Sequence, residues 1–158
     1  MLKKILSPET CGKCRVCCVF DHDDVWEIPL ISNELHEKIS ASRPELKTIP
    51  RGNNSYVFDM EFKNDGLTYC PALSDTGCTL GENKPFDCMI WPLRAMKKGE
   101  DIVITRSPVC ESVDPESPAV KELVNELAPV IFAEANRNPD IIKEYIEGYP
   151  IAAIKARP

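Results

Sequence analysis

The chain has 158 residues with 19 basic against 25 acidic side chains, a net charge of −6 and a pI near 5.0. That length suits one ordinary core, since folding a chain of this size removes roughly 68–70% of its unfolded surface from water. The acidic balance excludes a general nucleic-acid surface, which needs clustered Lys and Arg.

Apolar content of 43% and charged content of 28% exclude disorder by composition, and 14 prolines against 7 glycines imply much rigid, irregular backbone. The opening MLKKIL is basic and then apolar, but only two apolar residues separate Lys4 from Ser7, too few for a signal-peptide core. No run approaches the roughly 20 apolar residues of a membrane span. The expected setting is cytoplasmic, with no membrane and no nucleic-acid partner.

In chain order, the first feature is CGKCRVCC, which places Cys11, Cys14, Cys17 and Cys18 within eight positions. An acidic turn, DHDD (21–24), follows. Asn33 is read as the N-cap of a short helix that ends before Pro44. SYVFDMEF (55–62) alternates Tyr56, Phe58, Met60 and Phe62 on one side, the period of a half-buried strand. Residues 69–93 are rich in turn formers and carry Cys70, Cys78 and Cys88, and DIVITR (101–106) reads as a second strand, with Cys110 shortly after it.

From residue 117 the period becomes helical. Ser117 can cap, Pro118 fits the first turn, and Val120, Leu123, Val124, Leu127 and Ile131 share a face, with a kink expected at Pro129. A second helix is expected from Asn138 as cap, with Pro139 in the first turn, an apolar face of Ile141, Ile142, Tyr145 and Ile146, and Gly148 as the stop. The expectation is one domain, 1–158, of α+β class. It is a small irregular fold with metal-stapled loops, a few short strands and two C-terminal helices. The cysteine motif spans 11–92 and the helical part 117–148.

Eight cysteines in 158 residues fall below the roughly 8–10% that marks a disulfide scaffold, and without an export signal they read as ligands. A catalytic redox pair would need an accessible, low-pKa thiol beside a resolving partner, and the crowding favours permanent ligation instead. Cys11, Cys14 and Cys17 make two successive CxxC steps, as in the run that holds three irons of a cubane cluster. Adjacent side chains tend to point apart in extended backbone, so Cys17 and Cys18 are expected to serve two centres, or two faces of one. With Cys70, Cys78, Cys88 and Cys110 the thiols number eight, arithmetically two four-cysteine sites. Structural zinc more often shows two short knuckles, and no second CxxC is present.

The remaining polar residues of note read as ordinary structure. His22, in DHDD, is a solvated loop residue; His36, in NELHEK, is a surface histidine. Asp21, Asp23 and Asp24 form an acidic surface turn that lacks the rest of a calcium loop. Phe86 and Trp91 flank Cys88, where they suit either an apolar shell around a metal or ordinary core packing.

The segments CGKCRVCC, CPALSDTGC and CTLGENKPFDCMIWP together resemble the CxxCxxCC, or YkgJ-like, family of zinc- or iron-chelating domains. Cys11, Cys14, Cys17 and Cys18 match its first block, Cys70, Leu73 and Cys78 its second, and Leu80, Pro85, Cys88, Trp91 and Pro92 its third. Gly81, Lys84 and Met89 depart from the pattern, the last two replacing arginines whose planar forks neither side chain reproduces. Cys110 and the helical tail lie outside the motif. The resemblance implies metal chelation. It does not bring a methylase activity with it, because no glycine-rich strand-to-helix turn for adenosylmethionine is present.

The function expected from the sequence is therefore a cysteine-ligated metal protein carrying an iron–sulfur cluster, 4Fe–4S favoured, with a second centre conceivable, serving electron transfer or metal handling with a redox partner. The alternative is a zinc-stabilised module that docks a protein and catalyses nothing. All eight cysteines are candidate metal and cofactor ligands; no residue is assigned a catalytic role.

Overall fold

The computed structural model describes residues 7–62, 66–114 and 116–156, and MLKKIL lies outside them. Two compact units meet in sequence between Met89 and Ile90, the first running from Pro8 to Met89. Helices and short strands alternate in both, an α+β arrangement. Among the described residues no helix is long and apolar enough to cross a membrane.

The first unit contains α1 (Pro8–Cys14), a 3-10 turn at Val16–Cys18, β1 (Val19–Phe20), a 3-10 turn at Asp23–Glu27, β2 (Ile31–Ser32), α2 (Asn33–Ser42), β3 (Thr48–Arg51) and β4 (Ser55–Phe58). It continues through β5 (Thr68–Tyr69), β6 (Leu73–Ser74) and β7 (Gly77–Cys78) into α3 (Phe86–Ile90). Strands β2, β4 and β3 form an antiparallel sheet in that order, with Ile31 opposite Tyr56 and Ile49 opposite Val57. Its core gathers Ile31, Ile39, Leu46, Phe58, Ala72 and Leu80, and Cys70 and Cys78 pack against that cluster. The apolar interior and the cysteine loops are thus continuous.

Three expectations change here. The cap of α2 is Ser32, one residue before Asn33, because Ser32 keeps extended backbone and its Oγ accepts from the Leu35 N–H at 3.3 Å. Strand β4 stops at Phe58, halfway through the expected 55–62. Its partner β3 begins at Thr48, opposite Phe58, so past that pair only the Asp59 N–H to Lys47 carbonyl bond continues the pairing. His36 is half-buried rather than free on the surface, stacked on Tyr56 with centroids 3.8 Å apart and Nδ1 2.8 Å from Thr48 Oγ1. His22 is exposed beside Asp23, and Asp21 Oδ1 accepts from the Asp23 N–H, a local turn bond.

The second unit is built on a hairpin of β8 (Leu93–Lys98) and β9 (Asp101–Arg106), turning at Gly99 with φ +62°. The left-handed conformation there is one glycine adopts without strain. Helix α4 (Pro118–Arg137) buries Val120, Leu123, Val124, Leu127, Ile131 and Ala135, and it continues through Pro129. Ser117 occupies the N-cap position without a side-chain hydrogen bond, with Pro118 in the first turn.

Among the described residues no second C-terminal α-helix follows. After a 3-10 turn at Pro139–Ile141 the chain forms β10 (Lys143–Glu144), parallel to β8, and then β11 (Ile151–Ile154), antiparallel to β9. The sheet order is β10-β8-β9-β11. The 3.6-residue spacing of Ile141, Ile142, Tyr145 and Ile146 yields to the two open edges of the hairpin. Those edges supply backbone partners, and β-branched and aromatic side chains suit a pleated surface.

Two hydroxyls in this unit, Thr105 Oγ1 and Ser107 Oγ, are buried without a hydrogen-bond partner. Thr105 pairs across the sheet with Arg94, whose guanidinium lies 4.5 Å from the Trp91 ring centroid. An unmet buried hydroxyl costs about 1–3 kcal/mol, and valine keeps the shape of threonine without it. Thr105→Val is therefore expected to raise stability by about 1 kcal/mol, read as a higher thermal midpoint; a lower midpoint would mean that the hydroxyl is satisfied.

Candidate metal centre

Seven of the eight cysteines belong to the first unit, and the way its short elements pair decides which of them approach one another. Cys14 ends α1, and Arg15 then takes left-handed backbone, φ 58°, ψ 1°. That conformation reverses the chain into the 3-10 turn carrying Cys17 and Cys18, which the Cys18 N–H closes on the Arg15 carbonyl at 2.8 Å.

The turn changes the expected geometry of the cysteine pair. The Sγ atoms of Cys17 and Cys18 are 3.9 Å apart. In extended backbone they would diverge to opposite sides; a 3-10 turn, with three residues per turn, sets neighbours only about 120° apart and lets the two sulfurs approach. A tetrahedral zinc ion with Zn–S bonds of about 2.3 Å holds its sulfurs about 3.8 Å apart, so the pair is spaced as two ligands of a single ion.

Cys70 reaches the pair through strand pairing. Strand β1 is antiparallel to β5, with Val19 opposite Tyr69 and Phe20 opposite Thr68. One step further, the Cys70 N–H donates to the Cys18 carbonyl at 2.8 Å, so Cys70 faces Cys18 across the ladder. Cys78 arrives on the β6–β7 hairpin, opposite Leu73, and packs with Cys70 against the core cluster. Burial pushes the Cys70 thiol up from 9.0 to about 11. A hydrogen bond from the Ala72 backbone pulls it down, and the Cys78 and Cys17 thiols add to the rise. Those two sulfurs therefore lie within electrostatic reach of Cys70.

The hairpin is held to the cysteine turn by close packing. A Cβ on Gly12 would stand 3.2 Å from the Thr76 carbonyl oxygen, and one on Gly77, φ +110°, would stand 3.4 Å from the Gly12 Cα. Arg15 adds a side-chain link, its Nε donating to the Gly12 carbonyl at 2.8 Å and its Nη2 to the Asp75 carbonyl. Gly12, Arg15 and Gly77 escape a reading based on cysteine spacing. The turn signature Ser-Asp-Thr-Gly before Cys78 marks the hairpin itself, since Ser74 Oγ donates to the Gly77 carbonyl at 2.8 Å and accepts from the Thr76 N–H.

The remaining candidates are placed differently. Cys14 is exposed, Cys88 is half-buried on α3, and the side chain of Cys11 lies outside the described residues. Cys110 is buried in the second unit. Phe86 is half-buried on α3, while Trp91, in the second unit, packs under Arg94. All seven described cysteines are thiols rather than disulfides. Among the described residues no three Cys, His, Asp or Glu side chains stand close enough to enclose an ion as placed. The donor chemistry suits a soft or borderline ion, with one pair at ligand spacing and Cys70 within electrostatic reach of Cys17 and Cys78.

Comparison with protein-family models, with curated proteins and with solved structures finds no match for this chain.

Proposed function

We propose that this chain is a thiolate metal-binding protein whose centre is built on Cys17, Cys18, Cys70 and Cys78 and takes one tetrahedral ion of the zinc class. The observation that carries the reading is the 3.9 Å separation of the Cys17 and Cys18 sulfurs. Cys70, across the ladder from Cys18, and Cys78, beside it on the core, are the thiols that close on the pair. Such an ion contributes about 10–16 kcal/mol in small zinc-binding peptides. In a unit where the strands at or next to these cysteines are two residues long, that contribution organises a platform for a protein partner or for metal handling. A reducing, cytoplasmic setting keeps the thiols available as ligands.

The second reading is an iron–sulfur cluster, favoured by the successive CxxC steps of Cys11, Cys14 and Cys17. Thiolates on a cubane each bind a different iron and stand further apart than the observed pair, which is why the mononuclear ion is preferred. Metal analysis of anaerobically purified protein separates the two. One zinc per chain in colourless protein is expected. Brown protein absorbing at about 400 nm, with iron and sulfide, would replace the first reading by the second. Protein purified under reducing conditions and empty of any metal would sink both.

Metal loading should depend on pH with a definite sign. The Cys70 thiol, pushed up to about 11, is protonated at neutral pH, and ligation must expel that proton. Zinc affinity is therefore expected to rise at least tenfold per pH unit between about pH 6 and 8 and to fall in acid, as read by competition with a chromophoric chelator. A flat profile would mean that no thiol loses a proton on binding.

A further inference from the structure

Nothing about Arg15 as a residue type marks it in the sequence, where it is one of the spacers between Cys14 and Cys17. Its position in the structure is unusual in three ways. It is the only described non-glycine residue with positive φ, at 58°. Its side chain joins two distant segments, donating to the Gly12 carbonyl in α1 and to the Asp75 carbonyl, 60 positions on from Arg15, at the tip of the β6–β7 hairpin. Its own carbonyl accepts the hydrogen bond that closes the Cys17–Cys18 turn.

Left-handed backbone costs a non-glycine residue about 1–2 kcal/mol. Glycine would adopt the same turn without that cost, so what an arginine adds here must lie in its side chain. The guanidinium offers a rigid fork of donors, which suits one side chain to two carbonyls in different elements. Both acceptors are neutral backbone groups, so the link is positional rather than a neutralisation of charge. It acts where α1 and the hairpin already meet through Gly12, Thr76 and Gly77, in a contact that a Cβ on Gly12 would tighten to 3.2 Å from the Thr76 carbonyl oxygen.

We propose that Arg15 is a positioning residue of the metal centre: by bridging Gly12 and Asp75 it sets the Cys17–Cys18 turn against the hairpin that carries Cys78. The inference rests on the thiolate centre proposed above. Without the bridge the contact between α1 and the hairpin keeps its close packing at Gly12 and Gly77 but loses both guanidinium hydrogen bonds, and the ion loses part of its preorganisation. Outer groups that orient ligands typically change metal affinity about 10–100-fold, and the effect here belongs mostly in the dissociation rate.

The test uses the full chain loaded with zinc or with cobalt(II). Arg15→Gly removes the bridge and relieves the left-handed backbone; Arg15→Lys keeps the charge but not the fork. Zinc release to a chelator is expected to be at least tenfold faster in both variants. The cobalt(II) thiolate bands are expected to shift, while the urea midpoint of the metal-free protein stays the same or rises in Arg15→Gly. Release within twofold of wild type in both variants overturns the role, as does faster release with unchanged cobalt bands and a lowered metal-free midpoint in both. If the wild-type chain binds neither ion, the thiolate centre itself fails and takes this role with it, an outcome distinct from the previous two.

Discussion

Cys17→Ser and Cys18→Ser are each expected to remove the same metal equivalent, and the double variant is expected to remove no more than that one. The reason is geometric. Two sulfurs 3.9 Å apart match the edge of one tetrahedron, and the 3-10 turn at Val16–Cys18 is the backbone that lets neighbours come this close. Loss of a direct ligand should exceed the about 10–100-fold cost of disturbing a group that merely orients one, so metal retention through a desalting column should fall from stoichiometric to near zero. Cys70→Ser and Cys78→Ser should behave likewise, whereas Cys110→Ser, in the other unit, should retain the metal. Two separate equivalents lost by Cys17→Ser and Cys18→Ser would restore a two-centre arrangement.

Removing the proposed ion from loaded protein is expected to loosen the first unit selectively. Strands β1, β5, β6 and β7 are two residues each, and the loops between them join α1 and the cysteines to a core of six buried side chains. An ion contributing about 10–16 kcal/mol matches or exceeds the whole stability of a typical domain, about 5–15 kcal/mol. Chelation should therefore raise amide hydrogen exchange by several orders of magnitude around residues 16–20 and 68–78. The second unit has its own hairpin of six-residue strands and a 20-residue helix. Its protection, read at Ala95, Met96, Val103 and Ile104, is expected to change little. Equal loss of protection in both units would mean that the metal organises the whole chain; no change in either would mean that the thiols hold no structural ion.

Much of the architecture was legible before any coordinates. The segment DIVITR marks β9, the helical recurrence from Val120 to Ile131 marks α4, and Pro118 marks where it starts. These signals are local: a period, a cap and a missing N–H act within a few residues of themselves. Other readings failed where an outside partner decided the matter. The apolar recurrence from Ile141 to Ile146 is compatible with a helix, but the edge of β8 offered hydrogen bonds and a strand formed. The half-buried pattern of 55–62 continues past Phe58, yet β4 ends there because β3 begins opposite it.

The candidate site divides in the same way. Sequence alone determined the chemistry, since eight thiols, four of them in CGKCRVCC, specify soft donors and the spacing identifies which segments carry them. Only the tertiary structure decided which sulfurs meet. Cys70 faces Cys18 because β1 pairs with β5 across some 50 intervening positions, and Cys78 packs beside Cys70 because the β6–β7 hairpin lies on the same core. The Cys17–Cys18 spacing follows from a left-handed residue and a 3-10 turn, and the link between that turn and the hairpin follows from Arg15, Gly12 and Gly77. Ligand identity is a property of side-chain type, written residue by residue. Ligand geometry depends on backbone hydrogen bonds between distant segments, whose strength is set by the partner each finds on folding.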